Sequence, residues 1–269
     1  MYNYNVWQWF LFFYIYCFLG WVWETSYVSI KMKKFQNRGF MNGPFLPIYG
    51  SGAMVILLAT LPVKDIPVLV FVLGMAAATI LELLTGIAME KLFHMRYWDY
   101  SYRKIQYKGY ICLVSSIAWG VFSCLMIYGF HRPVETLVLS MPETGGQIMT
   151  MTLTIICVSD FSTSFKTAME LKKMLISVDI IKQYIEKIEK AAETLKEEAQ
   201  EELAKLMSER SERLEHLSKA FFENKAITNL LKRNPNTVSK KHHESFMEYR
   251  DNFLETAKDQ IKRLTENKR

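Results

Sequence analysis

Four acidic residues interrupt the apolar stretches of this sequence, and they are the side chains there most able to do chemistry. They are Glu24, Glu82, Glu90 and Asp160. A carboxylate near the centre of a bilayer costs about 3 kcal/mol, so it tends to be paired, protonated or in contact with water. The four acids are therefore candidates to line a substrate path through a membrane, with a purely structural role as the alternative.

The depth of each acid bears on these two interpretations. Glu24 and Glu90 lie near one end of their apolar stretches, where they can reach headgroup water or a basic side chain. The basic residues within reach are Arg38, Lys91 and Lys108. Glu82 lies deeper, where facing lipid would be costly, so we expect it to be functional or buried and paired. Asp160 falls between these cases.

A short glycine-to-glutamate motif occurs twice. Gly20-Trp-Val-Trp-Glu24 and Gly86-Ile-Ala-Met-Glu90 each close an apolar stretch. The following loops match as well, because Arg38-Gly-Phe40 precedes Tyr49-Gly50 by the same eight residues that separate Lys108-Gly-Tyr110 from Trp119-Gly120. We interpret this as a duplicated hairpin, 6–61 and 68–130, related by a pseudo-two-fold axis along the membrane normal. The alternative is a chance match of small and aromatic residues.

The first of these loops, 38–52, is rich in glycine and proline where a helix should begin. Irregular backbone survives at membrane depth only where protein buries it or water bathes it, and broken helices build transporter sites in this way. We therefore expect a re-entrant or irregular loop, with an ordinary interfacial turn as the alternative. Its candidate residues are Arg38, Gly39, Gly43, Pro44, Pro47 and Gly50.

The second loop concentrates aromatic residues in Arg96-Tyr-Trp-Asp-Tyr-Ser-Tyr102. Trp, Tyr and Arg dominate binding hot spots, so one hypothesis is that this loop docks a cytoplasmic partner. The alternative is an interfacial aromatic belt with a local ion pair. The residues assigned to docking are Trp98, Asp99, Tyr100 and Arg103.

Helices in a membrane must position these residues. Of the 33 Lys+Arg and 27 Asp+Glu, only 11 and 8 precede Lys166, so an apolar part is followed by a densely charged one. Five stretches approach the roughly 20 residues that span a bilayer, at 6–28, 46–61, 68–89, 110–130 and 148–165. The sequence predicts an all-α, polytopic helical membrane protein of about five transmembrane helices, with a transmembrane domain at 1–165 and a cytoplasmic helical, coiled-coil tail at 166–269.

Basic residues give the orientation of these helices. In membrane proteins Lys and Arg collect in cytoplasmic loops. Only Lys64 and Arg132 fall on one side of the predicted helices. The other side holds Lys31, Lys33, Lys34, Arg38, Lys91, Arg96, Arg103, Lys104 and Lys108. We therefore predict that the N-terminus lies outside the cell and the tail inside.

The tail carries one apolar stripe at steps of three and four residues, which predicts a long amphipathic helix. Its members are Val178, Ile181, Ile185, Ile188, Ala192, Leu195, Ala199, Leu203 and Leu206. After Asn234-Pro-Asn236 a second pattern follows, at Phe246, Tyr249, Phe253, Ala257, Ile261 and Leu264. Coiled-coil pairing would cover these stripes, either by folding back within one chain or by forming a homo-oligomer.

Other function classes find little support. Net charge is +6, but acidic and basic residues alternate along the tail, which argues against nucleic acid. Nucleotide-binding, metalloprotease and serine-hydrolase motifs are missing, and no Cys and His stand at metal-ligand spacing. We expect no enzyme, no catalytic residues, no metal and no cofactor, and no ATP hydrolysis by this chain alone.

The motifs together resemble a known family. G-W-V-W-E, R-G-F-M-N-G-P-F-L-P-I-Y-G-S-G, L-E-L-L-T-G-I-A-M-E, R-Y-W-D-Y-S and K-G-Y-I-C-L, in this order, resemble the bacterial membrane proteins called ABC transporter permeases, type IV (CmpB-like). The resemblance extends over roughly residues 9–165. It implies a multi-pass protein of the bacterial plasma membrane that takes part in transport, and it names no substrate.

Two functions follow as hypotheses. The first is a membrane-embedded permease subunit, energised by a separate ATP-binding-cassette subunit, in which Glu24, Glu82 and Glu90 line the path. The second is a membrane-anchored scaffold or sensor that acts through its coiled-coil tail. An intramembrane enzyme acting on lipid is a weaker third, because no nucleophile or metal motif accompanies the acids.

Overall fold

The computed structural model describes residues 4–192 and 197–247, nearly all of them helical. A short antiparallel hairpin, β1 (Gln106–Tyr107) with β2 (Ile111–Cys112), lies between two of the helices. The all-α prediction is confirmed. The helices are α1 (Val6–Met32), α2 (Pro47–Thr60), α3 (Pro67–Phe93), α4 (Leu113–Leu125), α5 (His131–Leu139), α6 (Glu143–Ala192), α7 (Glu197–Glu223) and α8 (Lys225–Arg233).

Four helices of the described chain are long and apolar enough to cross a membrane. They are α1, α3, the continuous helix Leu113–Leu139, and α6 up to Lys187. Large apolar side chains on them, such as Ile80 and Leu84, are more than half exposed. Apolar outer faces are expected where lipid surrounds a helix, because lipid tails are as apolar as leucine.

The helix that was predicted at 110–130 is longer. α4 continues through one π-helical turn, Met126–Phe130, into α5, so a single helix runs from Leu113 to Leu139. The π-helical turn directly precedes the turn that holds Pro133. Because proline lacks a backbone N–H and crowds the turn before it, a local adjustment of the hydrogen-bond ladder lets the helix continue.

α2 is shorter than a membrane span. Its 14 residues cover about 21 Å, against the roughly 30 Å of a bilayer core. It starts beside the middle of α1, where the Leu46 N–H donates to the carbonyl oxygen of Cys17 at 3.1 Å. Gly50 then lies against Phe13 and Cys17, close enough that a Cβ would clash. α2 therefore covers only the N-terminal half of α1, and a count of five membrane helices stays a prediction.

α6 is a single helix of 50 residues, about 75 Å long. It joins the stretch predicted to end the membrane domain, 148–165, to the amphipathic helix predicted for the tail, and the proposed boundary at 165 lies inside it. No glycine or proline occurs between Gln147 and Ala192 to interrupt it. Serine and threonine hydroxyls along it donate to carbonyls one turn earlier, as Thr163 does to Ser159. The division into two domains stays a prediction.

The tail folds back within the chain. Arg210 of α7 lies 5.5 Å from the ring of Tyr184 on α6, and Leu214 packs on a core that includes Leu171, so the two helices run antiparallel. The stripe residues Ile188, Ala192, Leu195, Ala199 and Leu203 and the second-pattern residues Tyr249, Phe253, Ala257, Ile261 and Leu264 lie outside the described side chains. A coiled coil therefore stays a prediction.

Two apolar cores hold the described chain together. One core packs α1, α2, α3, α4 and α5 against one another. Phe12, Ile56 and Met126 are fully buried in it. The other joins the end of α3 to α6 and the returning tail, through Phe93, Ile227 and Phe246. The second core packs the segment 225–247 against α3 and α6, at the end where the two long loops lie.

Candidate functional site

A cavity of about 360 Å³ lies among α1, α2, α3 and the loops 33–46 and 94–112. Most of its lining is apolar or aromatic, and the charged groups in it are Glu24, Glu82 and Arg38. Asn234, from the tail, also lines it. The cavity arises because α2 and α4 each begin part-way along the preceding helix, so that a loop rather than a helix covers the C-terminal half of α1 and of α3.

Glu82 lies at the inner wall of this cavity. It is only 6% exposed, and three neutral groups donate to it. The Tyr100 hydroxyl donates to Oε1 at 3.0 Å and the Trp119 ring N–H to Oε2 at 3.1 Å. The Ser115 hydroxyl lies 3.2 Å from Oε2 and shares its proton with the Cys112 carbonyl. Among the ion pairs of residues 4–192 and 197–247, none includes Glu82.

Burial and the Glu82 carboxylate raise the pKa of Tyr100. Its hydroxyl therefore remains protonated at neutral pH and stays a donor to Glu82. Tyr97, on the same loop, also has a pKa raised by burial. Its hydroxyl is buried without a hydrogen-bond partner among the described residues, although the ring lines the cavity. The ring of Tyr97, and not its buried hydroxyl, therefore forms part of the cavity wall.

Glu24 lies on the same cavity with a tyrosine and an arginine. The Tyr49 hydroxyl donates to its Oε1 at 2.7 Å, and the Arg38 Nε lies 4.0 Å from Oε2. The Tyr49 ring packs on the backbone of Gly20, where any Cβ would overlap it. Gly20 therefore gives the ring the close approach to α1 that brings its hydroxyl to Glu24, one helical turn further on.

Glu90 is held in the same way by different residues. The Tyr110 hydroxyl donates to Oε2 at 2.5 Å, and the Arg96 Nε donates to the same oxygen at 2.6 Å. The Tyr110 ring packs over Gly86. A glycine, a tyrosine ring, a glutamate and an arginine thus form the same arrangement at the ends of α1 and α3. Glu90 does not line the cavity; it balances the buried Arg96.

The two loops share a further feature. Gly39 and Gly109, which occupy matching places in the repeated pattern, both have positive φ angles, 120° and 77°. A side chain would be strained at either position. The tyrosines, however, come from different places in the pattern, because Tyr49 corresponds to Trp119 and Tyr110 corresponds to Phe40. Aligning the two halves of the sequence therefore could not have shown that Tyr49 and Tyr110 make equivalent contacts.

Asp160 anchors the first loop to α6. Its two oxygens accept the backbone N–H groups of Asn42 at 3.0 Å and Gly43 at 2.7 Å, and the Asn42 side chain as well. A Cβ on Gly43 would approach the carboxylate to 3.1 Å. Pro44 follows directly, and Pro47 begins α2. The irregular backbone from 33 to 46 is thereby fixed between α1 and α6.

The four residues assigned to partner docking point in two directions. Trp98 and Tyr100 turn inward and line the cavity, with the Trp98 ring N–H donating to the Tyr110 carbonyl at 2.9 Å. Asp99 lies at the surface near Arg96 and Lys240, at 3.8 and 3.9 Å. Arg103 stacks over the exposed Tyr102 ring. The docking role stays a prediction.

The tail supplies residues that the sequence did not point to. The Asn234 side chain donates to the Gly39 carbonyl at 3.0 Å, and Arg38 donates to the Arg233 carbonyl at 2.9 Å. Val238 pairs with Arg96 through two backbone hydrogen bonds, of 2.8 and 2.9 Å. The break at Asn234-Pro-Asn236 signalled the end of a helix, but nothing in it signalled what it touches.

Comparison with known proteins bears on the region that builds the cavity. A model of the family described as "Putative ABC-transporter type IV" matches residues 11–165. Comparisons with curated proteins and with solved structures gave no match. The matched region includes all of the cavity lining except Asn234. Because the match covers more than half of the 269 residues, this chain belongs to the family described as "Putative ABC-transporter type IV".

Proposed function

We propose that this protein is the membrane-embedded permease subunit of a transporter and that a separate ATP-binding-cassette subunit supplies the energy. The observation that carries the proposal is a cavity among membrane helices that contains two acids, Glu24 and Glu82. Acids at membrane depth mark substrate and ion pathways, because the free-energy cost of burying their charge must be offset by a function or by a paired group. The family description, an ABC-transporter type, supports the same assignment.

The duplicated hairpin and the irregular loop belong to this proposal. Each half ends its long helix with the same arrangement of glycine, tyrosine, glutamate and arginine, and each then sends a loop back into the fold before a helix that starts at depth. Parallel repeats with binding sites at their interface, built by broken helices, are common in transporters. In this arrangement α2 acts as a fifth, half-length membrane helix.

We assign the side of the basic loops and the tail to the cytoplasm of a bacterial cell. The loops 33–46 and 94–112 both contact the segment 233–240, so loops and tail share one side. A cysteine introduced at Lys104 should react with a membrane-impermeant maleimide only after the cells are opened, and one at Lys64 should react in intact cells. The reverse pattern would invert the orientation.

We assign the ATPase contact to the loop 94–112. One face of this loop reaches Glu82 through Tyr100, while the other face exposes apolar side chains: Tyr102, Ile105 and Tyr107 are 72%, 65% and 52% exposed. A movement imposed on the exposed face would therefore reach the cavity directly. Arg103 and Asp99 add charge beside it.

The test is recovery of the partner. Full-length tagged protein is purified from its native membrane in mild detergent, beside I105E, and the accompanying proteins are identified by mass spectrometry. We expect an ATP-binding-cassette subunit with the wild type and its loss with I105E, while F35E, at another exposed apolar side chain, retains it. Wild-type recovery of soluble signalling proteins without an ATPase would favour the scaffold hypothesis and overturn the proposal.

A further inference from the structure

We propose that the cavity binds a small organic cation, namely a primary or secondary amine with an apolar substituent. The inference rests on the proposed function and deepens it, because it takes this cation to be the transported substrate. Four properties of the cavity carry it: the balance of its charges, the hydrogen bonds of Glu82, its aromatic walls and its volume.

The charge of the lining favours a cation. Glu24 and Glu82 are its acids and Arg38 is its base, so one carboxylate has no counter-charge. Arg38 is already engaged, with Nε near Glu24 and a terminal nitrogen donating to the Arg233 carbonyl. An anionic occupant would face both carboxylates and find no unengaged base.

Neutral hydrogen-bond donors hold the Glu82 carboxylate. Tyr100 and Trp119 donate to its two oxygens, and these bonds offset part of the cost of burying its ionised form. An ionised carboxylate buried among neutral donors is only partly stabilised, because neutral hydrogen bonds do not replace a counter-charge. A bound ammonium group would provide that charge.

The walls are aromatic. The rings that line the cavity include Tyr49, Tyr97, Trp98, Tyr100, Trp119 and Phe161. Ring faces attract a cation, with tryptophan the strongest, by about 0.5–2 kcal/mol each. The rings of Tyr49 and Trp119 meet at an angle of 56° with centroids 6.1 Å apart. Each of these two rings also donates to a carboxylate, which makes the ring richer in electrons and strengthens its attraction for a cation.

The volume of the cavity and the acceptor oxygens of Glu82 narrow the class of cation. A volume of about 360 Å³ lies at the lower end of the roughly 300–1,000 Å³ of small-molecule sites. A primary or secondary ammonium group can also donate an N–H to the Glu82 carboxylate, which lines the cavity, whereas a quaternary ammonium has no N–H to donate. That difference favours a primary or secondary amine over a quaternary ammonium. Metal ions are disfavoured, since rings occupy the space where further oxygen ligands would be needed.

The test measures binding to purified full-length protein in lipid nanodiscs by isothermal titration calorimetry, with empty nanodiscs as the blank. The probes are 2-phenylethylamine, benzyltrimethylammonium and 3-phenylpropanoate at neutral pH. We expect the amine to bind more tightly than the quaternary cation and the carboxylate not to bind. Equal or tighter binding of the carboxylate, or no binding of either cation, overturns the proposal, and this comparison needs no variant.

Variants then locate the site. E82Q should weaken binding of the amine about tenfold or more, the loss of about 1.4 kcal/mol, whereas E186Q removes an exposed carboxylate and should leave binding unchanged. E82Q should weaken binding of the amine more than binding of benzyltrimethylammonium, because only the amine has an N–H to donate to the carboxylate. An unchanged affinity in E82Q would place the cation elsewhere and reject the site.

The two proposals fail separately. Binding is measured without any ATPase, so loss of the partner in the recovery experiment does not alter the calorimetric result. A protein that recovers an ATPase but binds no cation remains a permease with a different cargo. A protein that binds the amine but recovers no ATPase is a cation-binding membrane protein of another kind.

Discussion

The side-chain amide of Asn234 donates to the carbonyl oxygen of Gly39 at 3.0 Å, across 195 positions of the chain. Asn234 thereby closes one side of the cavity, and the neighbouring Arg233 donates to the side chain of Asn42. The tail is thus joined to the same irregular loop that Asp160 holds from α6. We therefore expect release of the tail to open the cavity.

Loosening this contact should expose the cavity. In N234A the donor to Gly39 is lost, and S51C places a thiol in the lining as a reporter. We expect S51C to react with a water-soluble maleimide several-fold faster when combined with N234A. The S51C protein alone and N234A alone provide the rates to subtract, since native cysteines are present. An unchanged rate would mean that Asn234 does not limit access.

Gly20 should tolerate no side chain. In G20A the new methyl group would overlap the ring of Tyr49, so we expect a loss of about 1–3 kcal/mol of stability, as in other overpacked cores. G145A is the matched control, because open space surrounds Gly145 in the described residues and alanine favours a helix by up to about 1 kcal/mol. Thermal unfolding followed by circular dichroism in detergent should separate the two variants, and equal midpoints would contradict the packing described for Tyr49.

The two arginines of the repeated arrangement should differ in their contribution to stability. Arg96 is 7% exposed and lies 2.6 Å from Glu90, whereas Arg38 is 16% exposed and lies 4.0 Å from Glu24. Removing one partner of a buried ion pair costs about 3–5 kcal/mol, since it leaves a buried charge. We therefore expect R96M to lower the unfolding temperature more than R38M. Adding E90Q to R96M should restore part of the loss, and no recovery would show that Arg96 acts through other contacts.

Acid should weaken the attachment of the tail. Burial, followed by the charges of Lys172, Lys241 and His242, lowers the pKa of His94, and the ring of His94 contacts His242, which is bound to Asp179. A lowered histidine pKa means that the unfolded chain binds more protons. This contribution to stability is complete above about pH 6.5, the ordinary value for histidine, and is lost as the pH falls through the lower folded value.

The measurement for this effect is limited proteolysis of the tail at pH 7.5 and pH 5.5. We expect faster cleavage near Lys240 and Lys241 at the lower pH in the wild type. H94Q cannot take up this proton, so its cleavage rate should change less between the two conditions. An identical pH response in H94Q would show that His94 does not cause the effect.

The four helices that are long and apolar enough to span a membrane were predictable, because length and apolarity alone identify them. The differences come from local backbone chemistry and from packing. α2, Pro47–Thr60, nearly coincides with the short stretch predicted at 46–61, whereas the π-helical turn before Pro133 carries a helix on to Leu139 and the absence of glycine and proline after Gln147 makes α6 continuous. These prolines and glycine-free stretches are visible in the sequence, but their effect on helix length depends on whether neighbouring helices can pack against the helix that results.

The cavity was predictable only in part. The acids stood out because charge is rare among apolar residues, and Glu24 and Glu82 do lie on one cavity. Their partners did not stand out, because Tyr49, Tyr100 and Trp119 are three among many aromatic residues of a membrane protein. The closing contact from Asn234 depends on how the tail returns, which no short-range pattern encodes.

Because α6 is one continuous helix, it holds two anchoring residues at a fixed separation. Asp160 accepts hydrogen bonds from the loop that lines the cavity. Asp179 binds the tail through His242 and Ser245, about 28 Å away along the helix axis. A tilt or rotation of α6 would move both aspartates together. A partner that pulls on the tail would therefore act on the cavity wall without touching it.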